Sequence, residues 1–395
     1  MPAELSGETL QRYLVGGAVR DRLLGLPVQD RDYVVVGTTP EQMLAQGYTP
    51  VGKDFPVFLH PQTHEEHALA RTERKTAPGY RGFVFHADTD VTLEQDLARR
   101  DLTINAMAQA ENGTLVDPFH GQRDLQDGIL RHVSQAFLED PVRILRLARF
   151  AARFTRFTVA PETAVLMCTM VGNGEVDALV PERVWQEFSK GLMEIRPSRM
   201  IQVLRDCGAM ARLLPMLESV WAIADSDQGN PVLVALDAAA TVHSPLPVRL
   251  AILLQSAALA PGVTPGDTAA IDAACSRLKV PGDCRDLAVM TGRERDALES
   301  AAGTAPTTVA MLERCDALRK PARFHQMLEA LSFVSTTACQ KKTATEWPSL
   351  LAAARGVDAG AVAQHVARHF PGQPQAINDA VRAARVAAVA LQLRA

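Results

Sequence analysis

Asp30 and Asp32 stand one residue apart at the entrance to a β-rich run, Tyr33 to Val36. Side chains alternate faces along a strand, so both carboxylates point to one side, roughly 6–7 Å apart at Cα, and Arg31 points to the other. Two such carboxylates repel each other unless a cation joins them. Mg²⁺ suits that place, because it prefers oxygen ligands and can clamp a triphosphate and an attacking hydroxyl for in-line displacement. A solvated strand entrance has the same pattern, so the pair needs support from elsewhere in the chain. Some lies just upstream, where Gly16-Gly17-Ala18-Val19-Arg20-Asp21 sets two glycines between a strand and a helix. Such a turn lets the backbone approach a ligand closely and aims helix N–H groups at an anion. Arg20, in the first helical turn, can pair with phosphate oxygens.

These groups must be positioned by an α/β head. Tyr13-Leu14-Val15 reads as a short strand, Ala18 to Leu24 as a helix that stops at Gly25, and Pro40 to Gln46 as a further helix. Val57-Phe58-Leu59 and Ala68-Leu69-Ala70 read as two more strands around a turn rich in His and Glu. Arg99-Arg100-Asp101-Leu102-Thr103-Ile104-Asn105-Ala106 follows an acidic helix start at Glu94 and Asp96, and its arginines can supply positive charge to a triphosphate or a nucleic-acid end. After Leu138 the pattern changes to helical periodicity, with apolar residues at 142, 145, 148 and 152. Almost no strand signal follows, and Pro/Gly breaks near 228–231, 261–266 and 303–306 punctuate helices. The expected architecture is an α/β head, a mixed sheet with helices over 1–138, then an all-α neck over 139–222 and an all-α body and tail over 223–395.

Gly-Gly-x-Val-Arg-Asp, the Asp-x-Asp strand, Arg-Arg-Asp-x-x-x-Asn-Ala, Asp117-Pro118 with Gly121, and Glu139-Asp140-x-x-Arg143 follow in that order. In this set the chain resembles the bacterial class II tRNA nucleotidyltransferases, the CCA-adding enzymes of the polymerase-beta-like nucleotidyltransferase superfamily. The likeness is dense over 12–220 and weaker to about 330. It implies a nucleotidyltransferase head and template-independent addition and repair of the 3′-terminal CCA of tRNA from CTP and ATP. Asp30 and Asp32 would hold Mg²⁺, and Gly17, Arg20 and Arg100 would orient phosphates and ribose. It also implies that Asp140 and Arg143, one helical turn apart, read the incoming base. Cytosine and adenine both present an amino donor beside a ring-nitrogen acceptor, which a carboxylate and a guanidinium can match together. Uracil and guanine present the reverse, at roughly 1–3 kcal/mol per mismatched contact. By the same likeness Arg146 and Arg149 contact the nucleotide, while Arg153 and Arg156 face tRNA phosphates. Glu66 is an optional third carboxylate near the metals, and Arg71 to Lys75 with Gly79-Tyr80-Arg81-Gly82 reads as a loop beside the site.

The nearest alternative is a bacterial poly(A) polymerase, or an enzyme adding only A or only CC; a silent tRNA-binding protein is the non-enzymatic one. Val51 to Phe58 resembles the CCA enzymes, and the C-terminus lacks a long basic tail. Many relatives carry a metal-binding His-Asp pair of a phosphohydrolase domain. Here Gln255-Ser256 stands at that place, after Pro247-Val248-Arg249-Leu250-Ala251, so an HD-like relic without phosphohydrolase activity is expected. His60, His64 and His67 have one helix-face spacing for a metal, which Pro61 and the strand context oppose.

The 395 residues, 47% hydrophobic and 22% charged, exclude a disordered or collagen-like chain. A net charge of −4 confines any polyanion binding to local basic patches, such as 131–156, where six arginines face two acids. Six scattered cysteines without a CxxC pair read as reduced thiols. No apolar run approaches a membrane span and no signal segment opens the chain, so a cytoplasmic protein without a membrane partner is expected. The expected oligomeric state is a monomer.

Overall fold

The computed structural model describes residues 10–51, 57–75, 83–86, 88–218, 230–258, 264, 266–299, 303–334, 342–370 and 372–394. Two compact units emerge, Met1–Gly191 with Arg199–Leu213, and Leu192–Ser198 with Leu214–Ala395.

The first unit begins with β1 (Gln11–Val15), α1 (Gly17–Leu23), β2 (Asp32–Val36), α2 (Pro40–Ala45), β3 (Thr49–Val51), β4 (Val57–Leu59) and β5 (Glu66–Leu69). A hairpin of β6 (Thr72–Lys75) and β7 (Phe83–His86) follows, then α3 (Leu93–Ala98), β8 (Ala108–Ala110), β9 (Leu115–Val116) and α4 (Gly121–Asp127). The main sheet runs β3-β4-β5-β2-β1-β8-β9. Its pairs are antiparallel except β2 with β5, which the crossover through α2, β3 and β4 makes parallel.

The run Val34-Val35-Val36 lies in the middle of this sheet because both faces are covered. Val34 packs with Val15, Leu97 and Ala108 on one face. Val35 packs with Met43, Tyr48, Phe58 and Leu69 on the other. Each valine is 1% exposed, which stabilises the fold by roughly 1.5–3 kcal/mol per side chain. The helices supplying these lids start on reciprocal caps, Thr39 with Gln42 for α2 and Thr92 with Gln95 for α3.

α1 and α2 lie where the sequence places them. β5 starts two residues earlier than expected, at Glu66, which sets Glu66 beside Asp32 in the parallel register. The short β3, β8 and β9 are not read as strands from the sequence, and Thr72–Lys75, expected as part of a loop, is a strand paired antiparallel with β7. The two-residue parallel bridge of Ile129–Leu130 with Thr158–Val159 is likewise not read from the sequence.

The helical part of this unit contains α5 (Val142–Arg153), α6 (Pro161–Gly172) and α7 (Pro181–Leu192). Val142, Leu145, Ala148 and Ala152 are all buried, so the apolar stripe of α5 faces inward as its spacing demands.

The second unit holds helices from Pro231–Thr241 and Leu246–Ala258 to Pro374–Gln392, with no strand among its described residues. On Leu246–Ala258, buried Arg249 donates to the Ser244 and Leu192 carbonyls at 2.8 and 2.9 Å. Gln255 and Ser256 are 0% and 1% exposed and donate to carbonyls of their own helix, Ala251 and Leu253. Among the described residues no helix is long and apolar enough to cross a membrane. Cys168, Cys207, Cys275, Cys284 and Cys315 are free thiols, and burial pushes Cys207 and Cys275 up to about 11. Cys339 lies outside the described residues.

Candidate active site

A cleft of about 690 Å³ opens in the first unit, and Gly17, Arg20, Asp30, Asp32, Arg100, Asp140, Arg143, Arg146 and Arg149 all line it. The sheet supplies one side. Asp32 is the first residue of β2, directly across from Val15, so the end of β1 brings Gly16-Gly17 beside the carboxylates. Asp30 also lines the cleft, whereas Arg31 lies 3.7 Å from Glu65. Desolvation raises the Asp32 pKa above its ordinary value, Arg100 opposes this, and the like charge of Asp30 adds to it. The site therefore disfavours its own anionic form, as two carboxylates awaiting a cation should. Both offer hard oxygen donors open to a triphosphate, which fits Mg²⁺.

Gly16 has φ +66°, and a Cβ there would come within 3.0 Å of Arg100 Nη1. Gly16→Ala is expected to cost about 1–2 kcal/mol of stability through the backbone alone. By displacing Arg100 it should also lower the rate of nucleotide addition more than it weakens RNA binding. Thermal melts and single-turnover kinetics check the two halves separately.

Arg100 and Arg99 both grip Asp96, at 3.1 and 2.6 Å, and Asp96 has no exposure to solvent. Burial raises the Asp96 pKa, but the two arginines outweigh it and hold the carboxyl below its ordinary value. Arg20, expected to meet phosphate oxygens, lines the cleft, is 4% exposed and donates to Asp21 at 2.8 Å and to Asn105. Its guanidinium lies 5.1 Å from the centre of the Phe150 ring and 5.3 Å from that of Phe154. Arg153, expected to face tRNA phosphates, pairs with Asp21 at 2.9 Å. Asp21 thus joins α1 to the far end of α5.

Asp101 ties the turn after α3 to α5. It accepts from Arg146 at 2.8 Å, Asn105 at 3.0 Å and the Leu102 N–H at 2.8 Å. Burial raises its pKa, but these partners outweigh it and bring it from 3.8 down to about 2. Because the folded pKa lies below the unfolded one, the stabilisation is present above about pH 4 and lost as pH falls towards 2. Two units amount to about 2–3 kcal/mol. Asp101→Asn should therefore flatten the acid limb of stability over that window, as urea titrations from pH 5 to pH 2 would show.

The motif Asp117-Pro118 with Gly121 has a structural explanation. Asp117 caps α4 by accepting from the Gly121 N–H at 2.7 Å. A Cβ on Gly121 would stand 2.3 Å from the Thr103 carbonyl, so only glycine lets α4 rest on the turn carrying Asn105.

At the start of α5, Asp140 Oδ1 accepts from the Val142 N–H at 3.1 Å, and Arg143 Nη1 donates to the Ala136 carbonyl at 2.8 Å. Arg183 of α7 grips Asp140 with both terminal nitrogens, at 2.8 and 3.3 Å. Arg149 pairs with Glu187, also of α7, at 2.7 Å. Arg183, Glu187 and the cleft-lining Lys190 were not singled out from sequence. Their spacing of four and three residues was the available signal, one polar stripe on an otherwise apolar-faced helix.

Glu66 neighbours Asp32 but is not among the residues lining the cleft. His67 is buried with its ring stacked 4.5 Å from Tyr33, and His60 Nδ1 accepts from the Gln62 and Thr63 N–H groups. These histidines serve the β4–β5 turn. Residues 52–56 of the Val51–Phe58 segment, and Gly79-Tyr80-Arg81-Gly82, lie outside the described residues.

Residues 12–131 match the poly A polymerase head domain, and 156–220 match a family described as the probable RNA and SrmB-binding site of polymerase A. Fold and site thus define a nucleotidyltransferase with a helical extension. A multifunctional CCA protein of Janthinobacterium sp. (strain Marseille) is 55% identical, covering 98% of each chain. One from Azoarcus sp. (strain BH72) is also 55% identical, covering 96% of this chain and 97% of that one. The chain belongs to the multifunctional CCA protein family. In fold it is similar to the Bacillus stearothermophilus CCA-adding enzyme solved with CTP, with a TM-score of 0.66 at 23% identity over 96% of this chain and 89% of that one. A CCA-adding enzyme solved with ATP gives 0.63 at 20% identity, over 96% and 86%.

Proposed function

We propose that this chain builds and repairs the 3′-terminal CCA of tRNA from CTP and ATP, without a template and with release of pyrophosphate. The observation that carries the reading is one cleft lined both by Asp30 and Asp32, just before and at the start of β2, and by the carboxylate of Asp140 and the guanidinium of Arg143, groups suited to cytosine and adenine. In this reading 1–138 is the catalytic head and 139–222 the base-reading neck.

Asp30 and Asp32 would hold Mg²⁺, which supplies charge neutralisation to the triphosphate and lowers the pKa of the RNA 3′-hydroxyl. Arg100 and the Gly17 backbone orient phosphate and ribose. Asp140 accepts the amino group of C or A, and Arg143 donates to the ring nitrogen. Arg146 and Arg149 line the nucleotide's path while tied to Asp101 and Glu187. Arg20 acts one step back: tied to Asp21 and Asn105, it fixes the turn that carries Gly16-Gly17. Supplied singly to tRNA ending before CCA, CTP should be incorporated and ATP, GTP and UTP should not. Incorporation of ATP alone as a long ladder would favour the polymerase reading.

We also propose that the second unit lacks phosphohydrolase activity. Gln255 and Ser256 are enclosed by packing and bonded within their own helix, and an amide and a hydroxyl are weak substitutes for imidazole and carboxylate. Release of phosphate from phosphomonoesters or phosphodiesters by the full chain with added Mg²⁺, Mn²⁺ or Ni²⁺ would contradict this.

A further inference from the structure

Nine basic and four acidic side chains line the cleft, a net of five positive charges. Most of that charge is already engaged. Arg20 and Arg153 share Asp21, Arg99 and Arg100 share Asp96, and Arg146, Arg149 and Arg183 pair with Asp101, Glu187 and Asp140. Seven arginines are thus held as oriented forks. Arg143 is tied through the Ala136 carbonyl. Lys190 differs from all of them: it is exposed and has no ion pair or hydrogen bond to any other described residue.

Its position is defined by α7. Arg183, Glu187 and Lys190 follow at i, i+4 and i+7, so they share one face of the helix. Seven residues at 1.5 Å per residue put Lys190 about 10 Å along the axis from the Arg183 that grips Asp140. It is therefore beyond the base-reading end, yet still in the cleft wall.

We infer that Lys190 binds a backbone phosphate of the RNA acceptor strand, next to the 3′ end being extended. This rests on the proposed function, in which two polyanions enter one cleft. The nucleoside triphosphate takes one pose in each cycle, which pre-tied guanidinium forks suit. The RNA end grows with each addition, so its phosphates shift relative to the wall. A contact that survives such displacement needs a point charge on a flexible stem, and an untied lysine provides one where a bidentate fork does not.

The test uses the full chain and tRNA lacking CCA, with binding measured in EDTA without nucleotide across a salt series. Removing one phosphate contact lowers the slope of log affinity against log salt by about 0.7–0.9. Lys190→Gln should show that drop, raise the KM for tRNA severalfold and leave the KM for CTP and ATP unchanged, while Lys190→Arg should restore the slope. An unchanged slope with a raised KM for both nucleotides would overturn the inference and assign Lys190 to the triphosphate. No change in either would overturn it as well, leaving a solvated side chain. The binding arm is independent of turnover, so failure of the wild-type chain to extend tRNA would count against the proposed function alone.

Discussion

Asp32→Asn is expected to lower the rate of nucleotide addition by roughly 10³-fold or more, about 4 kcal/mol, with tRNA affinity retained. The substitution preserves shape and removes the charge that faces the triphosphate. Its second consequence runs the other way. Desolvation, reinforced by Asp30, raises the Asp32 pKa, so the ionised carboxylate destabilises the metal-free fold at neutral pH. The unfavourable contribution is absent below the unfolded pKa and fully present above the folded one. Asp32→Asn should therefore raise the melting temperature at pH 7 in EDTA, and the gain should vanish in acid. Loss of activity with loss of stability would mark Asp32 as a scaffold residue and remove it from the chemistry.

Asp140→Ala is expected to relax base choice by roughly 10- to 100-fold, at 1–3 kcal/mol for the lost contact, with UTP and GTP gaining relative to CTP and ATP. Arg183→Ala should move selectivity in the same direction by a smaller factor. It leaves the Asp140 carboxylate in place but removes the two donors that orient it. Competition between nucleotides on one tRNA end reads both effects as ratios of kcat/KM. Full exclusion of UTP and GTP by Asp140→Ala would disprove the base-reading assignment.

The sequence carries the local parts of this site well. The Gly16-Gly17 turn and the stripe of α5 follow from turn and period-3.6 geometry and lie where that geometry puts them, whereas β2 starts only at Asp32, so Asp30 lines the cleft from the segment before the strand and not through strand alternation. Less legible was how the charges divide among themselves. Arg153 reaches Asp21 across 132 positions of chain, and Arg183 reaches Asp140 across 43. No local period encodes such pairs, so the acidic partners that hold these cleft-lining arginines are not legible in the sequence. Gly121 shows the same limit, because its need for glycine comes from the Thr103 carbonyl of another turn. The early start of β5 depends on register with β2, which a four-residue strand does not announce.

The most direct measurement is the length and composition of the product when tRNA lacking its CCA is incubated with the full chain, Mg²⁺, CTP and ATP. Asp30 and Asp32 joining nucleotides, with Asp140 and Arg143 admitting only C and A, predict three added residues, C, C and A, and then a stop. An unextended RNA, a long adenylate tract, or incorporation of U or G would contradict the account.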